Sequence, residues 1–175
     1  MAKDTLSASQ IRELLKLLRK AFRFNRNLAK KNPLASYIKN PQIPSQLTES
    51  LALHILNRRI VAKELDGFRF DRGRTRNDPD IIGTKGAAER SFEVKATAES
   101  AFQELKVKDM SADYIIWIHF GDFFSNASKN EIEIRILQEP SRYFRKPQRI
   151  NLDRFDEVAG KGMRVVRRDI ERLLR

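Results

Sequence analysis

Asn77-Asp78-Pro79-Asp80, followed after twelve intervening residues by Glu93-Val94-Lys95, is the stretch on which the reading of this 175-residue chain turns. Residues two apart on a strand point to the same face, so an extended segment over 91–96 brings Glu93 and Lys95 out side by side and turns Val94 into apolar packing. Asp80 opens an adjacent short strand over 80–83, joined to the first by a turn around Lys85 and Gly86, and so reaches the same place. Two carboxylates with one ammonium make a hard oxygen site suited to magnesium, beside a lysine able to position or help deprotonate an attacking water.

The opposing reading makes Asp80 a turn cap after Pro79, and Glu93 with Lys95 a surface pair on a strand edge. Glu49 tells against it. It lies on a helix with Leu53, Leu56 and Ile60 on its own face, where a carboxylate is costly unless a cation or donor meets it. Asp78 is an alternative to Asp80 as ligand.

Outward from this centre, the apolar spacing predicts a first helix from Ser7 or Ser9 towards Lys31. Ile11, Leu14, Leu15, Leu18 and Phe22 form one face, and Arg12, Lys16, Arg19, Arg23 and Arg26 form a basic one that is either solvated or a phosphate track. A loop over 32–44 leads to a mostly buried helix over 45–65. Strands are expected at 68–71, 80–83 and 91–96, then a helical segment at 99–107 carrying Gln103, Glu104 and Lys106, either surface residues or groups that orient water or phosphate. The apolar run Asp113-Tyr114-Ile115-Ile116-Trp117-Ile118-His119-Phe120 reads as a central strand covered on both faces. Residues 131–137 alternate strictly and read as a peripheral strand with one wet face. Asn151 caps a helix, and a last helix over 169–174 follows a break at Gly160 and Gly162.

Composition narrows the function classes. There is no cysteine, which excludes disulfides, zinc–thiolate sites and a thiol nucleophile and suits a reducing cytoplasm. No stretch approaches a membrane span or a signal core, so neither membrane insertion nor secretion is expected. The net charge is +12, from 35 Lys and Arg against 23 Asp and Glu, and it is uneven: residues 1–45 carry +8, residues 142–175 carry +6 and the middle −2. A basic periphery around an acidic centre suits a protein that grips a polyanion and keeps carboxylates inside the grip. Gly83-Thr84-Lys85-Gly86 lacks the order of a phosphate-binding P-loop. His54 and His119 read as satisfied core histidines, while Phe123, Phe124, Tyr143 and Phe144 lie beside basic loops where they could stack on bases.

Pro79-Asp80 followed by Glu93-Val94-Lys95 resembles the motif of the PD-(D/E)XK nuclease superfamily, with Glu49 as the acidic residue that such nucleases often carry on a preceding helix. The resemblance covers roughly residues 49–120. It implies an α/β fold with a restriction-endonuclease-like central mixed β-sheet flanked by helices. It also implies one domain over 1–175: a basic helical extension at 1–44, a catalytic core at 45–137 and a basic segment at 138–175. Glu49, Asp80, Glu93 and Lys95 are the implied catalytic residues, the first three also binding Mg2+, for which Mn2+ can substitute. Size, extensions and the Glu93-Val94-Lys95-Ala96-Thr97 run look most like a type II restriction endonuclease of a restriction-modification system, a homodimer cutting double-stranded DNA at a palindrome rather than acting on a small molecule. The first helix is a candidate dimer contact. Arg72, Arg74, Arg76, Lys129, Arg142, Arg145 and Lys146 are the expected DNA contacts. A Holliday junction resolvase shares the motif, and a non-catalytic basic DNA-binding protein shares the charge.

Overall fold

The computed structural model describes residues 5–58, 63–75, 77–99 and 101–175. Helix α1 (Ala8–Lys31) begins at Ser7, whose hydroxyl accepts from the Gln10 N–H at 3.2 Å while the Gln10 side chain accepts from the Ser7 N–H at 2.9 Å. This reciprocal cap satisfies two amides that the first turn leaves without partners. Helix α2 (Ser45–Asn57) follows a 310 turn at Pro33–Tyr37. Ile11, Leu15 and Phe22 of α1 and Leu47, Leu51 and Ile55 of α2 are buried in one cluster. The apolar face of α1 is therefore spent inside the molecule. The expected end of α2 at 65 is replaced by Asn57 and a separate 310 turn at Lys63–Leu65, and Ile60 and Val61 lie outside the described residues.

Then come strands β1 (Arg69–Arg72), β2 (Ile81–Lys85), β3 (Ala88–Thr97) and β4 (Gln103–Leu105), the short helix α3 (Val107–Ser111), and strands β5 (Tyr114–His119), β6 (Glu131–Gln138) and β7 (Gln148–Ile150). Helix α4 (Leu152–Ala159), strand β8 (Met163–Asp169) and helix α5 (Ile170–Leu173) complete the chain. The central sheet has the order β1-β2-β3-β5-β6-β8. Only β3 and β5 are parallel. The mixed sheet flanked by helices that the sequence calls for is present.

Strand β5 explains its own composition. Ile116 and Ile118 face the α1/α2 cluster, while Ile115 and Trp117 face a second cluster with Leu105, Phe144 and Phe155. A strand covered on both faces has no use for alternation.

Several expectations are corrected. Residues 103–105 are not helical: they pair antiparallel with Gln148–Ile150, and Leu105 is fully buried beneath that ribbon, so packing overrides the helix propensity of Glu, Leu and Lys. The segment 163–169, where the sequence reading places no element before the last helix, is strand β8. Its Arg164, Arg167 and Arg168 disguise it, yet such charges suit a sheet edge. Strand β6 is interior, between β5 and β8, not peripheral. Its supposedly wet face includes Arg135, which is buried and donates Nε and Nη2 to the Asp156 carboxylate at 2.7 and 2.8 Å. Phe123, Phe124 and Phe144 are core residues too, so none is free to stack on bases.

Phe155 joins α4 to this second cluster, its ring centroid 4.8 Å from that of Trp117 and 5.4 Å from that of Phe144. Phe155→Ala is expected to lower stability by about 3–5 kcal/mol in urea unfolding. A loss below about 1 kcal/mol would show that α4 is not part of the cooperative core.

Candidate active site

Strands β2 and β3 pair from the turn as far as Ile81 opposite Phe92, and there they part. Beyond that point the Val94 N–H, on the side β2 has left, donates to Asp80 Oδ2 at 2.8 Å. The carboxylate thus completes a ladder that the strand no longer can. The loop before it is closed by the Gly73 N–H donating to the Asp80 carbonyl at 3.1 Å. It is also held by Asp78, which accepts from the Arg74 and Thr75 amides at 2.9 and 2.8 Å. Those backbone bonds, that from Thr75 first, hold the Asp78 carboxyl below the ordinary carboxylate range. Asp78 is committed to its loop.

On β3 the side chain of Glu93 is 2% exposed, and its Oε2 lies 3.0 Å from the Lys108 ammonium, which is also 3.4 Å from Asp80 Oδ1. Asp80 and Glu93 therefore converge on one cation. Lys95 Nζ lies 2.9 Å from Oδ2 of the fully buried Asp109, whose same oxygen accepts from the Lys106 N–H at 2.6 Å. Lys108 and Asp109, both on α3, were missed in the sequence. The helix that carries them starts at Val107, where the expected helix ended, and no motif marks them.

Glu49 does lie inside the molecule, but the cation that meets it is Arg72, at the end of β1. Burial raises the Glu49 pKa, Arg72 opposes the rise, and Asp80 is close enough to add to it. Burial, with the Asp80 charge second, pushes Glu93 up to about 8. For Lys108, burial works against the ammonium, but Glu93 and Asp80 outweigh it and leave its pKa raised. The Asp109 carboxyl also lies within hydrogen-bonding reach of Glu93 and adds to the rise in its pKa.

Among those residues no three His, Asp or Glu side chains are clustered as a ready metal-ligand set. Asp80 and Glu93 nonetheless fit a hard cation: both are carboxylates, and they already share a positive charge.

The expected DNA contacts are dispersed. Arg74, Lys129, Arg145 and Lys146 are exposed, Arg142 is paired with Glu139, Arg72 is turned to Glu49, and Arg76 lies outside the described residues. The loop around Asn126–Asn130 is braced from α1 by Arg19, which donates to the carbonyls of Asn126, Ala127 and Lys129 and to Asn130 Oδ1. Gln103 braces β4 on β3, donating to the Ala96 carbonyl at 2.7 Å. His119 Nδ1 is 3.0 Å from the Thr97 hydroxyl and His54 Nε2 is 3.4 Å from the Leu6 carbonyl, and both rings are half-buried at the edge of the core. A cavity of about 600 Å³ beside α1, lined by Arg26, Glu99, His119 and Asp153 among others, contains none of Asp80, Glu93, Lys95 or Lys108.

No family model and no curated protein matches the chain. Among solved structures it is similar to Hjc, a Holliday junction resolvase of the archaeal hyperthermophile Archaeoglobus fulgidus. The identity is 18% and the TM-score 0.33, over 63% of this chain and 97% of that one. At that identity and score the likeness carries no inference about the activity of this chain.

Two outcomes follow from the geometry. A Cβ at Gly73 would lie 2.0 Å from the Pro79 carbonyl oxygen, so Gly73→Ala is expected to cost about 1–3 kcal/mol in chemical denaturation by displacing the loop that delivers Asp80. For Glu93, the folded chain holds its proton more tightly than the unfolded one. The stabilisation is complete below the ordinary Glu pKa and is lost as pH rises towards about 8. In EDTA, the melting temperature of wild type should therefore fall between pH 5 and pH 8, within that range. Glu93→Gln should flatten the fall; parallel pH profiles for the two proteins would refute it.

Proposed function

We propose that this chain is a divalent-metal-dependent DNA endonuclease in which Asp80 and Glu93 hold the metal and Lys95 serves the reacting water. The observation that carries this reading is the convergence of Asp80 Oδ1 and Glu93 Oε2 on a single cation, with Lys95 on the same strand two residues away. The nuclease motif seen in the sequence supplies the rest, and the +12 charge suits a polyanionic substrate.

Bound between these carboxylates, magnesium or manganese would supply a Lewis acid for the phosphoryl oxygen and an acidified water. Lys95, its ammonium fixed by Asp109, orients the attacking water and offsets charge as it builds on the phosphorane oxygens. Glu49 assists from α2, either through water or directly, once its pairing with Arg72 is exchanged. Hydrolysis in this scheme needs no covalent intermediate. The finer reading is a type II restriction endonuclease, acting as a homodimer on a short palindrome in double-stranded DNA. Exposed Arg74, Lys129, Arg145 and Lys146 are its candidate contacts with the duplex.

Digestion of a sequenced plasmid and of a synthetic four-way junction with purified chain separates the possibilities. Discrete plasmid fragments in MgCl2 and none in EDTA are expected. Lys95→Ala should lose at least about a hundredfold in cutting while retaining DNA binding in a gel shift. Cutting of the junction alone would move the activity to structure-directed nucleases. With both substrates intact in Mg2+ and in Mn2+, the nuclease reading fails.

A further inference from the structure

Among the described residues the Lys108 ammonium is paired with Asp80 and Glu93, at 3.4 and 3.0 Å, and with no other side chain. These are the two carboxylates to which the proposed function gives the metal. Lys95 lies near, but its ammonium is held by Asp109, which is fully buried and would be left without a cation if Lys95 moved. The two lysines therefore differ in freedom: the Lys95 side chain is 13% exposed and that of Lys108 is 41% exposed. Lys108 stands on a five-residue helix, and its four-carbon stem can carry the charge into water without breaking any pairing except these two.

An ammonium and a divalent cation make the same demand on the carboxylate lone pairs, and like charges within a few ångströms of one another repel strongly at a half-buried site. Both cannot sit between Asp80 and Glu93. Held on its own backbone, the ammonium also competes at a high effective concentration, so weakly bound ions lose to it. Without a positive charge between them, the two carboxylates would repel and the Glu93 oxygen would be left buried and unmatched.

We propose that Lys108 is a resident counter-ion that keeps Asp80 and Glu93 together and that a divalent metal must displace in order to bind. The inference rests on the reading of Asp80 and Glu93 as metal ligands. It makes Lys108 a positioning residue that sets the metal affinity of the site, a role distinct from that of Lys95, which stays in place throughout.

The test is calorimetric titration of Mn2+ into the purified full chain without DNA, so that no cleavage is read. Lys108→Met is expected to bind the ion about three- to tenfold more tightly than wild type, the scale of one partly exposed ion pair removed. Lys108→Gln, which keeps a polar group but no charge, should shift the same way and serves if the methionine variant does not fold. Lys106→Met, which removes a neighbouring ammonium paired only with exposed Glu104 at 3.8 Å, should leave the affinity unchanged. Wild-type binding that Asp80→Asn abolishes but that neither Lys108 variant tightens would overturn this inference and leave the metal reading intact. Wild type that takes up no divalent ion at all would overturn both.

Discussion

A backbone amide and a carboxylate decide where the chemistry of this molecule is placed. Once β2 leaves β3 at Ile81 and Phe92, the Val94 N–H has no strand carbonyl to bond, and Asp80 Oδ2 takes it at 2.8 Å. That bond fixes the Asp80 carboxyl against the stretch of β3 from which Glu93 and Lys95 project. The alternation of the strand then sends Val94 into the α1/α2 core and its two neighbours to the opposite face. The pairing of β3 with β5, from Phe92 opposite Tyr114 to Thr97 opposite His119, makes this platform stiff, because β5 is buried on both faces.

The charges around that bond do not balance among themselves. Among the described residues Glu49, Asp80, Glu93 and Asp109 are four carboxylates, met by three cations: Arg72, Lys95 and Lys108. Burying an uncompensated charge is expensive, and a protein escapes either by holding a proton or by recruiting a cation. Burial and the Asp80 charge push the Glu93 pKa up to about 8, which favours the first course, while the Lys108 ammonium at 3.0 Å supplies the second. A divalent ion in the place of one ammonium would remove the deficit, which makes the same residues a candidate metal centre.

The sequence made the ribbon and the central strand legible because each obeys a local rule: a Gly86 turn at φ 59° between two strands, and an apolar run too short for a helix and too uniform for a surface strand. What it hid depends on distant partners. Strand β8 is a strand because β6 is beside it, and β4 because Gln148–Ile150 returns to meet it. Arg135 looked like the polar member of an alternating strand, and its burial is intelligible only once Asp156 on α4 is seen above it. Glu49 was legible as a buried acid but its partner was not, since Arg72 sits 23 positions away and reads, in sequence, as one of three arginines in a loop. Lys108 and Asp109 lacked even that much signal.

The same distinction bears on what the +12 charge means. Arg12 donates to the Leu174 carbonyl and pairs with Glu171, and Arg19 spans a loop and lies 4.5 Å over the Phe123 ring. Arg135 is buried, and Arg167 is bonded to Glu133 at 2.8 Å. These cations join the terminal segments to the sheet and are not spare for phosphate. A basic composition therefore overstates the footprint available for a polyanion. On α1, Arg12 and Arg19 are held in this way, whereas Lys16, Arg23 and Arg26 are exposed, as are Arg145 and Lys146 in the loop leading into β7, and these are the groups that remain open to a polyanion.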